Sequence, residues 1–239
     1  MRNTFLYHIC LFFIPCTISL NSIAQDMTVF ASNMRSRTPN TLYDDEFRII
    51  GVYKVKGNSY LLKGNNVSDI YTSEGYGVNI PLVFDTYTHE LSVMLPDKKK
   101  IVQLITSEVD SFYLKIDYDK KLTGPIMFRN MHKVDSTVNP YMQVLVKEGK
   151  YGLFKSYHAE LVNAASDIAQ TKLKEFEIRS TYYFLNNSEE KKSLIKITNK
   201  AKNLKTLFKD NVDGLIVLNN PSNSYENNLI NFVEWLNTQ

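Results

Sequence analysis

Of the four histidines of this chain, the three beyond residue 24 are the side chains best suited to proton or metal chemistry, because an imidazole titrates near neutral pH and also ligates metals. They are His89, His132 and His158, and none lies within five residues of another, unlike the close ligand spacing of most zinc sites. Asp85 and Glu90 flank His89 and could form with it an exposed pH-sensitive or metal-binding group at a strand end. The turn-like surroundings favour a plain solvent-facing hairpin.

The neighbours of the other two histidines also indicate surface positions. His132 is followed by Lys133 and Asp135, and His158 by Glu160. The chain has no G-x-S-x-G elbow, H-E-x-x-H helix, phosphate-binding glycine loop or calcium loop. A serine triad can still assemble from distant residues, but no serine stands out from the others. The sequence therefore predicts no catalytic residue, no metal ligand and no cofactor.

Paired carboxylates are the next candidates for acid–base or cation chemistry. The pairs are Asp44–Asp45, Asp117 with Asp119, and Glu189–Glu190. On a strand, Asp117 and Asp119 would share a face about 7 Å apart, which is compatible with a glycosidase-like or cation-binding pair. Lys120 and Lys121 follow directly, so we interpret the pair as a solvated strand end.

A lysine-rich stretch near the C-terminus is the most distinctive chemical feature. Apolar residues at Leu194, Ile197, Ala201, Leu204 and Phe208 recur at helical spacing. The lysines are Lys191, Lys192, Lys196, Lys200, Lys202, Lys205 and Lys209. Such a helix could lie on an anionic membrane or a partner, but a core-packed helix with a solvated lysine face is the favoured interpretation. The overall net charge of +3 is too small to indicate nucleic-acid binding.

The N-terminus has the pattern of a secretory signal peptide. Arg2 precedes an apolar run over residues 5–20, and Ser22 and Ala24 provide a small-x-small cleavage signal. Cleavage would place the product in the periplasm, at the outer membrane or outside the cell. An uncleaved anchor and a lipid-anchored start at Cys16 are the alternatives, although Pro15 is unusual before a lipidated cysteine.

Both cysteines of the chain, Cys10 and Cys16, lie within residues 1–24. A chain beginning at Gln25 would therefore have no disulfide, thiolate metal site or cysteine nucleophile.

The rest of the chain is predicted to be mainly β, in keeping with 15 Tyr and 13 Phe. Residues 25–45 form a loose lead-in with at most one edge strand, and residues 46–185 alternate short strands with turns. The clearest hairpins join residues 91–95 to 101–105 and residues 141–146 to 151–154. Residues 47–55 are predicted as one strand, and Pro81 should lie at a sheet edge or a bulge.

Helical periodicity replaces the strand pattern over residues 189–239. This segment is too short for its own core, so residues 46–239 are predicted to form one domain in which the helices pack on the sheet. The predicted class is α+β, mainly β: an antiparallel meander that is a curled sheet, a partly open barrel or a sandwich, with two or three short C-terminal helices.

Three segments, in order, carry a resemblance to a family. Residues 55–61 resemble a G-x-P-Y-L motif with Ser59 in place of proline, and residues 83–93 are similar to a Y-D-x-x-x-N-E-L-x-V hairpin. Residues 181–185 and 192–196 resemble a Y-Y-x-L…K-S-L-L-K run. Together they resemble uncharacterised small secreted proteins of Bacteroidota over residues 55–236. The resemblance implies a signal peptide, a β-rich body and C-terminal helices, and no activity.

These patterns favour an exported, non-enzymatic envelope or secreted protein, either a binding or a structural module. Its partner would be an envelope protein, a glycan or a lipid. Two alternatives remain open: a carrier of lipid or another small hydrophobic ligand inside a curled sheet, and a secreted hydrolase with a loop-borne site.

Overall fold

The architecture is one large, mainly antiparallel sheet with three short helices on part of one face. It comes from a computed structural model, which describes residues 35–37, 48–62, 66–95, 100–115, 124–147, 149–164, 173–187 and 192–239. The predicted α+β, mainly β class with short C-terminal helices is confirmed.

The strands are β1 (Arg35–Arg37), β2 (Arg48–Ile50), β3 (Tyr53–Lys56), β4 (Asn66–Thr72), β5 (Gly75–Asp85), β6 (Glu90–Leu95), β7 (Lys100–Gln103), β8 (Val109–Leu114), β9 (Ile126–Asn130), β10 (Tyr141–Val146), β11 (Tyr151–Asn163), β12 (Leu173–Asn186) and β13 (Ser193–Lys196). The helices are α1 (Lys202–Leu207), α2 (Val212–Leu218) and α3 (Tyr225–Thr238), with 3-10 turns at Met131–Lys133 and Asn199–Ala201.

The strand order is β1-β7-β6-β5-β4-β8-β9-β10-β11-β12-β3-β2, with β13 paired to β12. Among the described residues, all pairings are antiparallel except the one between β3 and β12, so the sheet is mixed and open. The two predicted hairpins are present as β6–β7 and β10–β11. Residues 96–99 of the first hairpin lie outside the described residues.

Two local predictions are wrong. Residues 47–55 were expected to form one strand, but β2 and β3 form a hairpin that turns at Gly51, whose φ of 60° suits glycine. The helical stripe was expected to include Leu194, but residues 193–196 form strand β13. Pairing with β12 provides this short apolar run with hydrogen bonds that a helix would otherwise supply.

Pro81 lies in an interior strand, two residues after the bulge at Val78–Asn79 where the β4–β5 register shifts. The β5–β6 ladder begins at Leu82, so Pro81 lies one residue before it. The missing N–H of proline therefore removes no hydrogen bond from that ladder.

The sheet is strongly curled. Four strand steps separate β5 from β10, which would be about 19 Å in a flat sheet. Nevertheless the rings of Phe84 on β5 and Tyr141 on β10 have centroids 5.9 Å apart. Ala159 on β11 also donates a backbone hydrogen bond to Thr86, just after β5. One face of β4–β6 and β8–β10 therefore folds onto itself.

The curled part encloses a core of aromatic rings. Phe84, Phe112, Phe128 and Tyr141 are each 3% exposed or less, and Phe112 and Phe128 stack at 4.8 Å. Ile70, Leu82 and Leu91 complete the same cluster with other aliphatic side chains. The interior is thus filled by the protein's own side chains.

The helices cover the sheet farther along. Leu204, Leu229, Phe232 and Leu236 pack on Leu153 and Phe184 of β11 and β12. The next residues on these strands, Phe154 and Leu185, point to the other face and pack on Met131 and Met142. This alternation covers both faces of β10–β12. α2 approaches α3 at Gly214, where a Cβ would come 2.8 Å from the Trp235 ring.

On the edge that faces away from β11, β12 is longer than the two strands that pair with it, β3 and β13. It pairs with β3 through residues 173–175 and with β13 through residues 183–186. Within the part of the chain that the structure describes, no strand pairs with residues 176–181 on that edge.

Candidate functional site

A polar groove of about 670 Å³ lies where three connections meet: the β5–β6 turn, the β7–β8 connection and the β9–β10 connection. It is lined by Thr88, His89, Glu90, Gln103, Thr106, Ser107, Asn130, His132, Lys133, Val138, Asn139 and Pro140. Most of these side chains can donate or accept hydrogen bonds. The groove is therefore the strongest candidate for a ligand site.

The β5–β6 turn that forms one wall is held by its own side chains. Asp85 Oδ1 accepts hydrogen bonds from the backbone N–H of Tyr87 at 2.8 Å and of Thr88 at 3.3 Å. The Thr88 hydroxyl donates to Glu90 Oε2 at 3.1 Å. His89 has a φ of 57°, a left-handed conformation that a non-glycine residue adopts only when its surroundings hold it there.

Asn130 joins the other two walls. Its Nδ2 donates to the carbonyl oxygens of Thr106 at 2.7 Å and Val109 at 2.8 Å, and its Oδ1 accepts from the His132 N–H at 3.0 Å. The Asn130 side chain is buried, and the three hydrogen bonds described for it are all to backbone groups. Asn130 thereby fixes the β7–β8 connection against the end of β9.

His132 is oriented by the segment that follows it. Its Nε2 lies 2.8 Å from the carbonyl oxygen of Val138, and because a carbonyl only accepts, Nε2 carries the proton. In a neutral ring this leaves Nδ1 as an acceptor. His132 Nδ1 can therefore accept a hydrogen bond from a ligand while Nε2 keeps its hydrogen bond to Val138.

His158 and His132 lie close enough to His89 for their charges to act on it. Burial lowers the pKa of His89 below its ordinary value, and the charges of His158 and, more weakly, His132 lower it further, whereas Asp85 opposes them. The Nδ1 atom of His89 is buried and has no hydrogen-bond partner among the described residues. The expected solvent-facing hairpin is thus wrong in part, since His89 is half-buried beside a groove.

His158 lies near His89 but does not line the groove. Its Nε2 is 3.2 Å from Glu160 Oε1 on the same strand, and Arg179 on β12 pairs with Glu160 at 2.8 Å. Among the residues that the structure describes, no three His, Cys, Asp or Glu side chains are grouped as metal ligands.

The remaining sequence candidates are placed as follows. The carboxylate pairs Asp44–Asp45, Asp117 with Asp119, and Glu189–Glu190 lie outside the described residues, as do Lys191 and the predicted signal peptide with both cysteines. The described lysines do not share one helix: Lys192 directly precedes β13, Lys196 is on β13, Lys200 is in a 3-10 turn, Lys202 and Lys205 are on α1, and Lys209 follows α1.

Sequence reasoning missed most of the groove. Gln103 ends strand β7, Ser107 lies in the β7–β8 connection and Asn139 in the β9–β10 connection, and nothing in their local pattern distinguishes them from other polar residues. Asn130 offered only a weak signal, a polar residue that ends a short strand after Arg129.

Comparisons with known proteins add no relative: no family model, no curated protein and no solved structure matches this chain. In the described parts of the chain, none of the helices combines the length and apolar character needed to cross a membrane.

Proposed function

We propose that this chain is an exported, non-enzymatic binding module of the cell envelope that holds a hydroxyl-rich ligand, a glycan or glycopeptide, in the groove. The observation that carries the proposal is a groove lined by amides, hydroxyls and two imidazoles on connections stiffened by Asn130 and Asp85. Prearranged polar groups fix the orientation of polar ligands, because little ordering of the protein is needed on binding.

The balance of charge supports a ligand that is mostly neutral. Glu90 is the one acidic and Lys133 the one lysine side chain among the described lining residues, and Lys133 forms an ion pair with Asp110. Thr88, Gln103, Ser107 and Asn139 carry both donors and acceptors, as sugar hydroxyls do.

An aromatic ring beside the groove supports a sugar. Tyr87, in the same turn as Thr88 and His89, is 40% exposed, and its ring is held edge-to-face by Phe176 at 5.4 Å. An exposed and immobilised aromatic face next to polar groups suits a ligand with both apolar C–H and hydroxyl surfaces.

The filled aromatic interior supports this module over the carrier of small hydrophobic ligands. Such a carrier needs an apolar lumen, whereas Phe84, Phe112, Phe128 and Tyr141 occupy the inside of the curl.

A hydrolase in the same groove is the second candidate, because His89 and His132 line it beside Glu90 and His158 lies close to His89. However, the hydrogen bonds of His132 and His158 are to a backbone carbonyl and to Glu160, and not to a hydroxyl nucleophile.

The test is titration calorimetry of the chain beginning at Gln25 with chitotetraose, cellotetraose and soluble muropeptides. We expect at least one of these to bind, and Ser107→Trp, which places an indole in the groove, to weaken that binding by about tenfold or more. Ser222→Trp introduces the same side chain at an exposed loop position away from the groove and should bind like the parent chain.

Mass spectrometry of the recovered ligand separates the two candidates. An unchanged ligand supports the binding module, whereas cleavage that Ser107→Trp abolishes assigns a hydrolase to the groove. Absence of binding by all three ligands, or equal binding by Ser107→Trp, contradicts the proposed function.

A further inference from the structure

The tip formed by α1 and α2 exposes apolar side chains that do not take part in packing the helices on the sheet. Leu207 is 52% exposed, and Val212 and Ile216 are each 65% exposed. Val212 and Ile216 are one turn apart on α2, and Leu207 and Val212 line the same shallow depression between the helices. We define these three residues as the apolar tip.

The apolar tip does not result from loose packing. Leu204, Leu218 and Ala201 of the same segment are buried against β10–β12, and Leu215 and Phe208 also contact that core. The helices have therefore satisfied their contacts with the sheet, and the apolar tip is a second surface that faces solvent.

The segment around the apolar tip is cationic. Residues 192–216 contain six lysines and two aspartates, Asp210 and Asp213, which gives a local net charge of +4. The described lysines of this segment are Lys192, Lys196, Lys200, Lys202, Lys205 and Lys209. All of them are exposed or half-exposed. This local excess is larger than the +3 of the whole chain.

The connection that aims α1 is firmly built. Asn203 Oδ1 accepts hydrogen bonds from the N–H and the hydroxyl of Thr198, both at 3.0 Å, and its Nδ2 donates to the Lys196 carbonyl at 2.7 Å. Lys200 and Ala201 both have left-handed backbones, with φ of 55° and 53°. Two successive strained residues ahead of a short helix indicate that its direction is held by the surrounding contacts.

From these observations we infer that the α1–α2 tip is a docking surface for an anionic lipid membrane. The apolar tip enters the interfacial region while the lysines contact lipid phosphates. The charge selects this partner: Asp210 and Asp213 line the depression beside Leu207 and Val212, but the whole segment has a net charge of +4, so two copies of it would repel each other. This surface is separate from the groove, so the inference does not depend on the proposed function.

The test is co-sedimentation of the chain from Gln25, which contains every described residue and lacks the apolar run at residues 5–20. The vesicles are phosphatidylcholine alone, or phosphatidylcholine with about 30% phosphatidylglycerol. We expect at least about fivefold stronger partitioning into the anionic vesicles, and release in about 0.5 M NaCl.

Two variants test the apolar and the cationic parts of this surface separately. Leu207→Ser with Val212→Ser and Ile216→Ser removes the apolar tip, and Lys202→Gln with Lys205→Gln and Lys209→Gln removes three charges. Each should lose about fivefold or more of the anionic partitioning. All six sites are exposed or half-exposed, and circular dichroism checks that both variants remain folded.

The matched control is Ile49→Ser with Val52→Ser, since both residues are 74% exposed on the β2–β3 hairpin. This control should partition like the parent chain. Equal partitioning into neutral and anionic vesicles, no partitioning, or an equal loss in the control would overturn the inference. So would a concentration-dependent dimer that the apolar-tip variant abolishes in the absence of vesicle binding.

Discussion

His89 combines three unusual properties in one side chain: a left-handed backbone, partial burial and two other histidines close enough to affect its charge. The partial burial and the charges of the two histidines disfavour the protonated ring in the folded state, and Asp85 opposes them only in part. The unfolded chain has none of them, so its His89 keeps an ordinary pKa of about 6.5. The folded protein therefore binds this proton less readily than the unfolded chain, and acid destabilises the fold as the pH falls below about 6.5.

This predicts that His89→Asn reduces the acid sensitivity of the fold. Asparagine tolerates the left-handed backbone and does not titrate. Between about pH 7.5 and pH 5.5, the urea midpoint should fall less in His89→Asn than in the parent chain. His132→Asn is the control, because it removes the weakest of the causes that lower the His89 pKa and should retain most of the pH dependence. Identical pH profiles for His89→Asn and the parent chain would contradict this account.

At the same scale, the sequence showed which residues carry chemistry but not that they meet. His89, His132 and His158 are far apart in the chain, and the curl that brings β5 to β11 depends on contacts between distant strands. Only the local group around Asp85 was predictable, since Asp85, His89 and Glu90 share one turn.

At the scale of elements, α3 lies along β11 and is fixed at both ends. Near its start, Glu226 Oε2 is 2.6 Å from Lys155 Nζ and accepts the Tyr182 hydroxyl at 2.7 Å. Near its end, the Asn237 side chain exchanges two hydrogen bonds with the backbone of Tyr151, at 2.8 and 2.9 Å. The helix is thus antiparallel to the strand and cannot slide along it.

Removing the first of these contacts should destabilise the protein. Burial alone would raise the pKa of Glu226, but the bonds from Lys155 and Tyr182 outweigh it and hold that pKa below its usual value. Glu226→Ala leaves the 17%-exposed Lys155 side chain without its carboxylate. We expect a loss of about 1–3 kcal/mol in the free energy of unfolding, measured with urea.

Glu234→Ala is the matched control, because Glu234 is an exposed residue of the same helix. It should change stability by no more than about 0.5 kcal/mol. Lys155→Met combined with Glu226→Met should recover part of the loss, since neither charge is then left alone. Equal effects of Glu226→Ala and Glu234→Ala would show that the ion pair contributes nothing.

Elements with a local signal were the predictable ones. β6–β7 and β10–β11 alternate in hydrophobicity and have turn residues between them, so neighbouring residues suffice to define each hairpin. β13 lacks such a signal: Leu194 and Ile195 fit a short strand or a helix equally well, and pairing with Leu185 and Phe184 at the end of β12 decides the outcome.

For the whole molecule, the cores are joined through shared strands. β10 begins at Tyr141, which packs in the aromatic core, and ends at Val146, which packs under the helices. The groove adjoins the Tyr141 end of β10 through Asn139 and Pro140, and the helical layer lies at the Val146 end. A protein held by its α1–α2 tip would therefore present the groove away from the membrane surface.

Because the cores share β10 and β11, we expect unfolding in one cooperative step. Trp235 is the only tryptophan and contacts the helical core, so its fluorescence reports that layer. Far-ultraviolet circular dichroism follows the strands and the helices together. The two signals should give the same urea midpoint, and Glu226→Ala should shift both equally. Separate midpoints would indicate two units that fold independently.

The unpaired edge of β12 has a consequence for self-association. Residues 176–181 present main-chain groups that no described strand covers, and an exposed edge of this kind can recruit strands from other molecules into fibrils. Here the edge carries the Glu177–Arg179 ion pair, and Arg179 also pairs with Glu160 on the neighbouring strand. An incoming strand would have to bury or displace these charges. The exposed Glu177 and Arg179 side chains therefore oppose fibril growth at this edge.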